Sequence, residues 1–472
     1  MIKFCRLVAI VLFCGTCYSA ICSEHIFTDH ALTRYANISV SIKDMVTGDT
    51  IACHRPNHVV PPASTMKLLT TATVLEVFGE DHRFSTFIEY SGVIENGVLY
   101  GDIYIKGGGD PSLGNLEDGQ NCLNVWTREI HRAGIKSIEG KVVADMSLYG
   151  ADAINSYWVW GDIGNYYAPG IFSLAYMDNT MNIQLKSGPI GTVAKVIKTV
   201  PEVPGVVFEN HIRCTEIDYD GAYVHGMPYN NCRYLVGSIP SNLGVFGVKG
   251  DIPNPGLLLA QHLTNTLRAN NIGVEQEAGY ISEANHVKRT LIYENLSLPL
   301  KEIVRRTNMY SVNLYAEMLF RNLGCLISTP STIHNSEMFV RQFWKNRGVD
   351  LSSCVLHDGS GLSPQSVMSA NTFLQLLTYM KGSKNAEAFY QSLPVSGESG
   401  TLRTFLDGTP LSGRVHAKSG TIMGTRNYAG YITLPNGKEW VFAILINSAN
   451  GKSRKIMQVI ENYLLDVYQT NQ

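Results

Sequence analysis

From Asn37 to His54 the chain alternates apolar and polar positions. Ile38, Val40 and Ile42 share one side, Thr47-Gly48-Asp49 turns the chain, and Ile51 resumes the pattern. A period of two predicts a pair of strands. After Val59-Val60-Pro61-Pro62 the period changes. Leu68, Leu69, Ala72, Leu75 and Phe78 recur at helical spacing and Gly79 supplies the stop, which predicts a helix opening near Ser64. Residues 84–290 read differently. Short alternating runs such as Phe87-Ile88-Glu89-Tyr90 and Val98-Leu99-Tyr100 are broken by Gly, Pro and Asn turns, so this region is predicted to be mostly β. Helical spacing returns at 257–269, 300–324, 336–347 and 371–379. The tail reads as strands over 414–418, 428–434 and 440–446, then a helix over 454–468. The predicted fold class is α+β, with an outer helix-and-strand unit made from both chain ends and a large β-rich insertion between them.

The first residues stand apart. Lys3 and Arg6 precede the apolar run Leu7–Phe13, which is followed by Gly15, Thr16, Ser19 and Ala20. A basic start, a short apolar middle and small residues before a cut describe a secretory signal, assigned to residues 1–22. No later stretch is long and apolar enough to span a bilayer, so no transmembrane anchor is expected after cleavage, and the destination is the periplasm. Four of the ten Cys lie in that segment, leaving Cys53, Cys122, Cys214, Cys232, Cys325 and Cys354. Six in a chain of this length do not make a disulfide scaffold. Cys214 and Cys232 flank a polar, turn-rich segment. An oxidising compartment allows a bridge there, and buried free thiols are the alternative. Cys214 and Cys232 lack the CxxC spacing of a zinc site, the 13 His show no HExxH pattern, and no metal or cofactor is expected. Of the 472 residues 45% are hydrophobic and 17% charged, an ordinary globular balance. Lys+Arg is 38 against Asp+Glu 40, so no basic excess points to nucleic acid.

Three short segments carry candidate chemistry. Ser64 sits at the predicted helix start with Lys67 three residues on, on the same face. A serine hydroxyl is a poor nucleophile without an adjacent base, and a desolvated Lys supplies one. The helix N-terminus adds free N–H groups for a developing oxyanion. Ser311-Val312-Asn313 interrupts a helical region, contributing a second hydroxyl and an amide. Lys418-Ser419-Gly420-Thr421 lies on a predicted strand and contributes a second cation. The order SxxK, SxN, KTG-like is the signature of penicillin-binding proteins and serine β-lactamases. Other strings are weaker. Lys106-Gly107-Gly108-Gly109-Asp110 lacks the ending of a phosphate loop, and Asp358-Gly359 near His357 reads as a turn rather than part of a Ser-His-Asp triad.

The chain resembles the D-alanyl-D-alanine carboxypeptidase/endopeptidases, the DacB-like class C low-molecular-mass penicillin-binding proteins. Beyond the three motifs, the resemblance rests on Pro62-Ala63-Ser64-Thr65, on Asp358-Gly359-Ser360-Gly361-Leu362-Ser363, on Gly400-Thr401-Leu402 and on Ala429-Gly430-Tyr431. It covers nearly the whole chain after the signal. More than half of the sequence separates Lys67 from Ser311, an interval far longer than a simple serine β-lactamase needs. The resemblance implies a transpeptidase/β-lactamase-like serine acyl-transferase domain, discontinuous over 23–83 and 291–472, with 84–290 inserted as one or two domains. The Cys214–Cys232 pair matches a pair found in some members.

The resemblance also implies roles. Ser64 attacks the D-Ala-D-Ala carbonyl, Lys67 takes its proton, and Ser311 passes a proton to the leaving amine. Asn313 binds the substrate peptide and keeps Lys67 oriented. Lys418 and Ser419 hold the substrate carboxylate, and the N–H groups of Ser64 and Thr421, next to Gly420, form the oxyanion hole. Asp145 with Tyr149 is a candidate for recognising the stem-peptide side chain. The implied partners are peptidoglycan stem peptides, with β-lactam antibiotics as covalent inhibitors. Two positions depart from the pattern: Ser419 stands where Thr is usual, and Pro364-Gln365 follows the DGSGLS segment where Arg is frequent. A serine β-lactamase and a non-catalytic peptidoglycan-binding protein are the competing readings. The long insertion argues against the first and the intact set Ser64, Lys67, Ser311, Asn313 and Lys418 against the second.

Overall fold

The computed structural model describes residue 27 and residues 30–115 and 121–471. The predicted signal, residues 1–22, lies outside the described residues. Both chain ends meet in one antiparallel sheet of five strands, in the order Val415–Ile422, Thr425–Thr433, Glu439–Asn447, Asn37–Asp44, Thr50–His54. Its centre explains its sequence. Glu439–Asn447 reads as a nearly unbroken apolar run because it is covered on both faces. Val441, Ala443 and Leu445 face one apolar cluster with the helices Lys67–Phe78, Asn313–Gly324 and Ala370–Lys381. Phe442, Ile444 and Ile446 face another with the C-terminal helix Ser453–Thr470. That helix presents Ile456, Ile460, Tyr463, Leu464 and Val467 at helical spacing, the stripe the sequence predicts over 454–468.

The helical stretch over 300–324 is interrupted where Ser311-Val312-Asn313 predicts: it forms two helices, Leu300–Met309 and Asn313–Gly324, broken at Ser311, whose φ is +60°. Residues between them thus turn a corner, and the second helix begins at Asn313.

Among the described residues the middle of the chain forms four further sheets. One joins Gly279–Ile281, Val142–Asp145, Ile103–Gly107, Ser85–Ser91 and Arg289–Leu296. Its core, with Ile105, Val142, Met181, Leu235 and Leu263, is a cluster of its own. The β-rich reading missed the helix Cys122–Arg132. Asn121 caps it by accepting a hydrogen bond from the Asn124 N–H at 3.4 Å, and Trp126 and Ile130, four apart, are buried. Among the described residues no helix is long and apolar enough to cross a membrane.

The predicted Cys214–Cys232 bridge is not made; both thiols are free. The strand Arg213–Thr215 runs parallel to Cys232–Pro240 with Cys214 opposite Ile239. Cys232 opens that same strand, so the two cysteines stand roughly 23 Å apart along it at 3.3 Å per residue. A disulfide requires Cα atoms within about 7 Å. Sequence proximity across a turn-rich loop misled here because the intervening chain returns through an extra strand, Gly221–His225, before Cys232 is reached.

Candidate active site

Ser64 lies in a single 3₁₀ turn, Ala63–Met66, that runs directly into the helix Lys67–Phe78. The turn is strained: Ala63 has φ +46°, a left-handed conformation that costs a non-glycine residue about 1–3 kcal/mol. Its surroundings hold it there. The Asn427 amide donates to the Pro61 and Pro62 carbonyls at 2.9 and 2.8 Å, and Thr65 Oγ1 donates to Pro62 O at 2.6 Å. Two glycines let neighbouring backbone approach. A Cβ on Gly420 would stand 2.8 Å from Pro62 O, and one on Gly361 would stand 1.8 Å from Ala63 O. The strand of the KTG-like segment and the DGSGLS turn therefore both abut the serine turn.

Lys67 is fully buried, at 0% exposure. Its Nζ lies 3.0 Å from Ser64 Oγ, 2.6 Å from Asn313 Oδ1 and 2.9 Å from Ser360 O. The Asn313 amide donates to Tyr167 O at 2.7 Å. A carbonyl only accepts, so that contact fixes which end of the amide meets Lys67. Both Asn313 Oδ1 and Ser360 O are acceptors only. A neutral amine spends its two N–H bonds on them and turns its lone pair to Ser64 Oγ. Burial pushes the amine down to about 7, against the upward pull of the Asp358 and Glu317 carboxylates.

Ser311 follows the helix break and lines a cavity of about 400 Å³ with Asn313, Tyr167 and Lys249. Lys418, on the strand Val415–Ile422, is also fully buried. Its Nζ donates to Ser419 O at 2.7 Å. Burial pushes its pKa well below the usual lysine range, and the nearby charges of Lys67 and Arg426 push the same way. Ser419 Oγ donates to Thr401 Oγ1 at 2.8 Å, and Thr421 Oγ1 accepts from Arg426 at 2.6 Å. Ser64, Lys67, Asn313 and the KTG-like strand are thus brought together from three distant stretches of chain.

Asp145 and Tyr149 take their hydrogen-bond partners outside this cluster. The Asp145 carboxylate takes Arg289 at 2.6 Å and the Ser147 N–H at 3.0 Å. The buried Tyr149 hydroxyl stands 2.7 Å from Asn322 Oδ1. Asn322 is nine residues beyond Asn313 on the same helix, about 13 Å along its axis. Conversely, Glu317 was missed and Asp358 was read only as a turn. Glu317 Oε1 accepts the Gly359 and Ser360 N–H bonds at 3.1 and 2.8 Å. Asp358 accepts from the Ser363 N–H at 2.7 Å, Ser366 Oγ at 3.1 Å and Trp158 Nε1 at 3.3 Å. The spacing held a signal: Glu317 is four residues after Asn313, hence on the same helix face.

Known proteins share this chain's family and fold. A family model described as the D-Ala-D-Ala carboxypeptidase 3 (S13) family matches residues 22–466. A D-alanyl-D-alanine carboxypeptidase of Actinomadura sp. (strain R39) is 27% identical over 440 residues, covering 89% of this chain and 79% of that protein. The crystal structure of penicillin binding protein 4 (dacB) from Haemophilus influenzae superposes with a TM-score of 0.81 at 24% identity, covering 94% of this chain and 99% of that one. The same protein complexed with a novel β-lactam superposes with a TM-score of 0.77 at 23% identity, with the same coverage.

Proposed function

The chain belongs to the D-Ala-D-Ala carboxypeptidase 3 (S13) family, and from that premise we propose that it is a serine DD-peptidase that cleaves D-Ala-D-Ala termini and D-Ala cross-links of peptidoglycan stem peptides. The observation that carries the reading is the Lys67 amine, held by two pure acceptors with Ser64 Oγ at 3.0 Å. As the Ser64 oxygen bonds to the substrate carbonyl carbon, its proton passes to Lys67. The N–H groups of Ser64 and Thr421 stabilise the oxyanion. The C–N bond then breaks, and Ser311 relays the proton to the departing amine. Water hydrolyses the acyl-enzyme and restores the serine. Lys418 with Ser419 receives the terminal carboxylate. β-Lactams enter by the same route and acylate Ser64. With the predicted signal, the working compartment is the periplasm.

We read 23–83 with 291–472 as the discontinuous catalytic domain and 84–290 as its insertion. Support comes from the shared five-stranded sheet and from the separate apolar core of the middle region.

The test is to incubate the mature protein with a fluorescent penicillin and, separately, with a stem peptide ending in D-Ala-D-Ala. Persistent label that Ser64→Ala abolishes, together with released D-Ala, is expected. Rapid loss of label with antibiotic turnover would instead mean a β-lactamase. Absence of both labelling and D-Ala release would leave a wall-binding protein.

A further inference from the structure

Behind Lys67, away from Ser64, two acids are fully enclosed. Ser360 links them to the amine. Its carbonyl accepts from Lys67 Nζ at 2.9 Å, and its N–H donates to Glu317 Oε1 at 2.8 Å. The preceding residue is gripped from both helices: the Gly359 N–H donates to Glu317 at 3.1 Å, and its carbonyl accepts from Thr70 Oγ1 at 2.7 Å. On its other side the turn comes so close to the Ala63 carbonyl at Gly361 that only a glycine fits there, and the hydrogen bonds to Glu317 and Thr70 hold it in that place. Glu317 therefore fixes where one of the two acceptors of the Lys67 amine stands.

We propose that Glu317 is a positioning residue for Lys67: it clamps the Ser360 turn that aims the amine at Ser64. The proposal rests on the DD-peptidase reading. The charged groups facing this carboxyl are Lys67 from the serine helix, Asp358 from the turn and Arg321 one turn along its own helix. Lys418 faces Lys67 from the edge strand. Burial and the neighbouring Asp358 raise Glu317, burial lowers Lys67, and negative charge on Glu317 pulls the amine back up.

The experiment measures the rate of Ser64 acylation by a fluorescent penicillin against pH, and D-Ala release from a stem peptide, in the full mature chain. Glu317→Ala orphans two buried N–H groups and frees the turn. Acylation should fall by about 100-fold with little change in KM. Glu317→Gln keeps an acceptor of the same shape and cannot take up a charge. It should restore the rate to within about threefold, and the acid limb of its pH profile should move to lower pH by about half a unit to one unit. A purely structural glutamate would not shift that limb. A Gln variant whose profile superimposes on the wild type, one as slow as the Ala variant, or an Ala variant that acylates normally overturns the proposal. Should Glu317→Ala fail to fold, the Gln profile decides alone. Wild-type labelling is the control. If it fails, the DD-peptidase reading is at fault rather than the role of Glu317.

Discussion

The inserted region and the catalytic unit both bury cations, and they treat them in opposite ways. In the insertion, Arg233 is enclosed and paired with a carboxylate. Its Nε and Nη2 grip the Asp251 carboxylate at 2.6 and 3.1 Å, and Nη1 donates to Asn230 O at 2.6 Å and Cys232 O at 3.0 Å. In the catalytic unit, Lys67 and Lys418 are just as buried, yet their hydrogen-bond partners are a hydroxyl, an amide and backbone carbonyls. The guanidinium is a cation whatever surrounds it, and its pairing with Asp251 contributes to structure. A buried amine among neutral acceptors releases its proton near neutrality and becomes a base. The comparison teaches that burial alone does not mark the chemistry; the identity of the partners does.

The largest test of that contrast is Lys67→Met. Acylation by penicillin should fall by at least about 1,000-fold, while stability in denaturant changes by no more than about 2 kcal/mol, the cost of the acceptors left unpaired. Asp251→Asn should do the reverse. It strands a buried guanidinium and should cost about 3–5 kcal/mol of stability, with the acylation rate of the folded protein unchanged at 25 °C. A Lys67 variant that unfolds as readily as Asp251→Asn would break the distinction. The smallest effect belongs to Ser419→Thr. The hydroxyl that meets Thr401 remains and one methyl is added, so kcat/KM for D-Ala release should change by less than about fivefold, under ~1 kcal/mol.

Much of the outer unit was legible beforehand. The strands near 37–54 and 428–446 and the C-terminal helix carry their periods openly, because each lies against a continuous apolar layer. The Ser64–Lys67 contact was legible too, being a three-residue spacing in a helical turn. The Ser311 break was visible as an interruption in a helical pattern. Elsewhere local reading failed. Cys214 and Cys232 lie close in sequence, but strand register separates them. The pairing of Asp145 with Arg289, far along the chain, was not visible either. Glu317 looked like an ordinary polar position within a helix, and only the arrival of the Gly359–Ser360 turn gives it partners.

What the sequence determined unaided are the relations that short-range geometry imposes: the periods of helix and strand, the hydroxyl and amine three residues apart, and the order of the three motifs. Tertiary structure alone decided which lysines are buried among neutral acceptors and so lose their usual proton affinity. That outcome depends on solvent exclusion and on contacts made by residues hundreds of positions away. Asn313, Ser360 and Glu317 reach Lys67 only after the chain has closed around it, and their polarity, summed over that enclosure, sets the proton affinity of the amine.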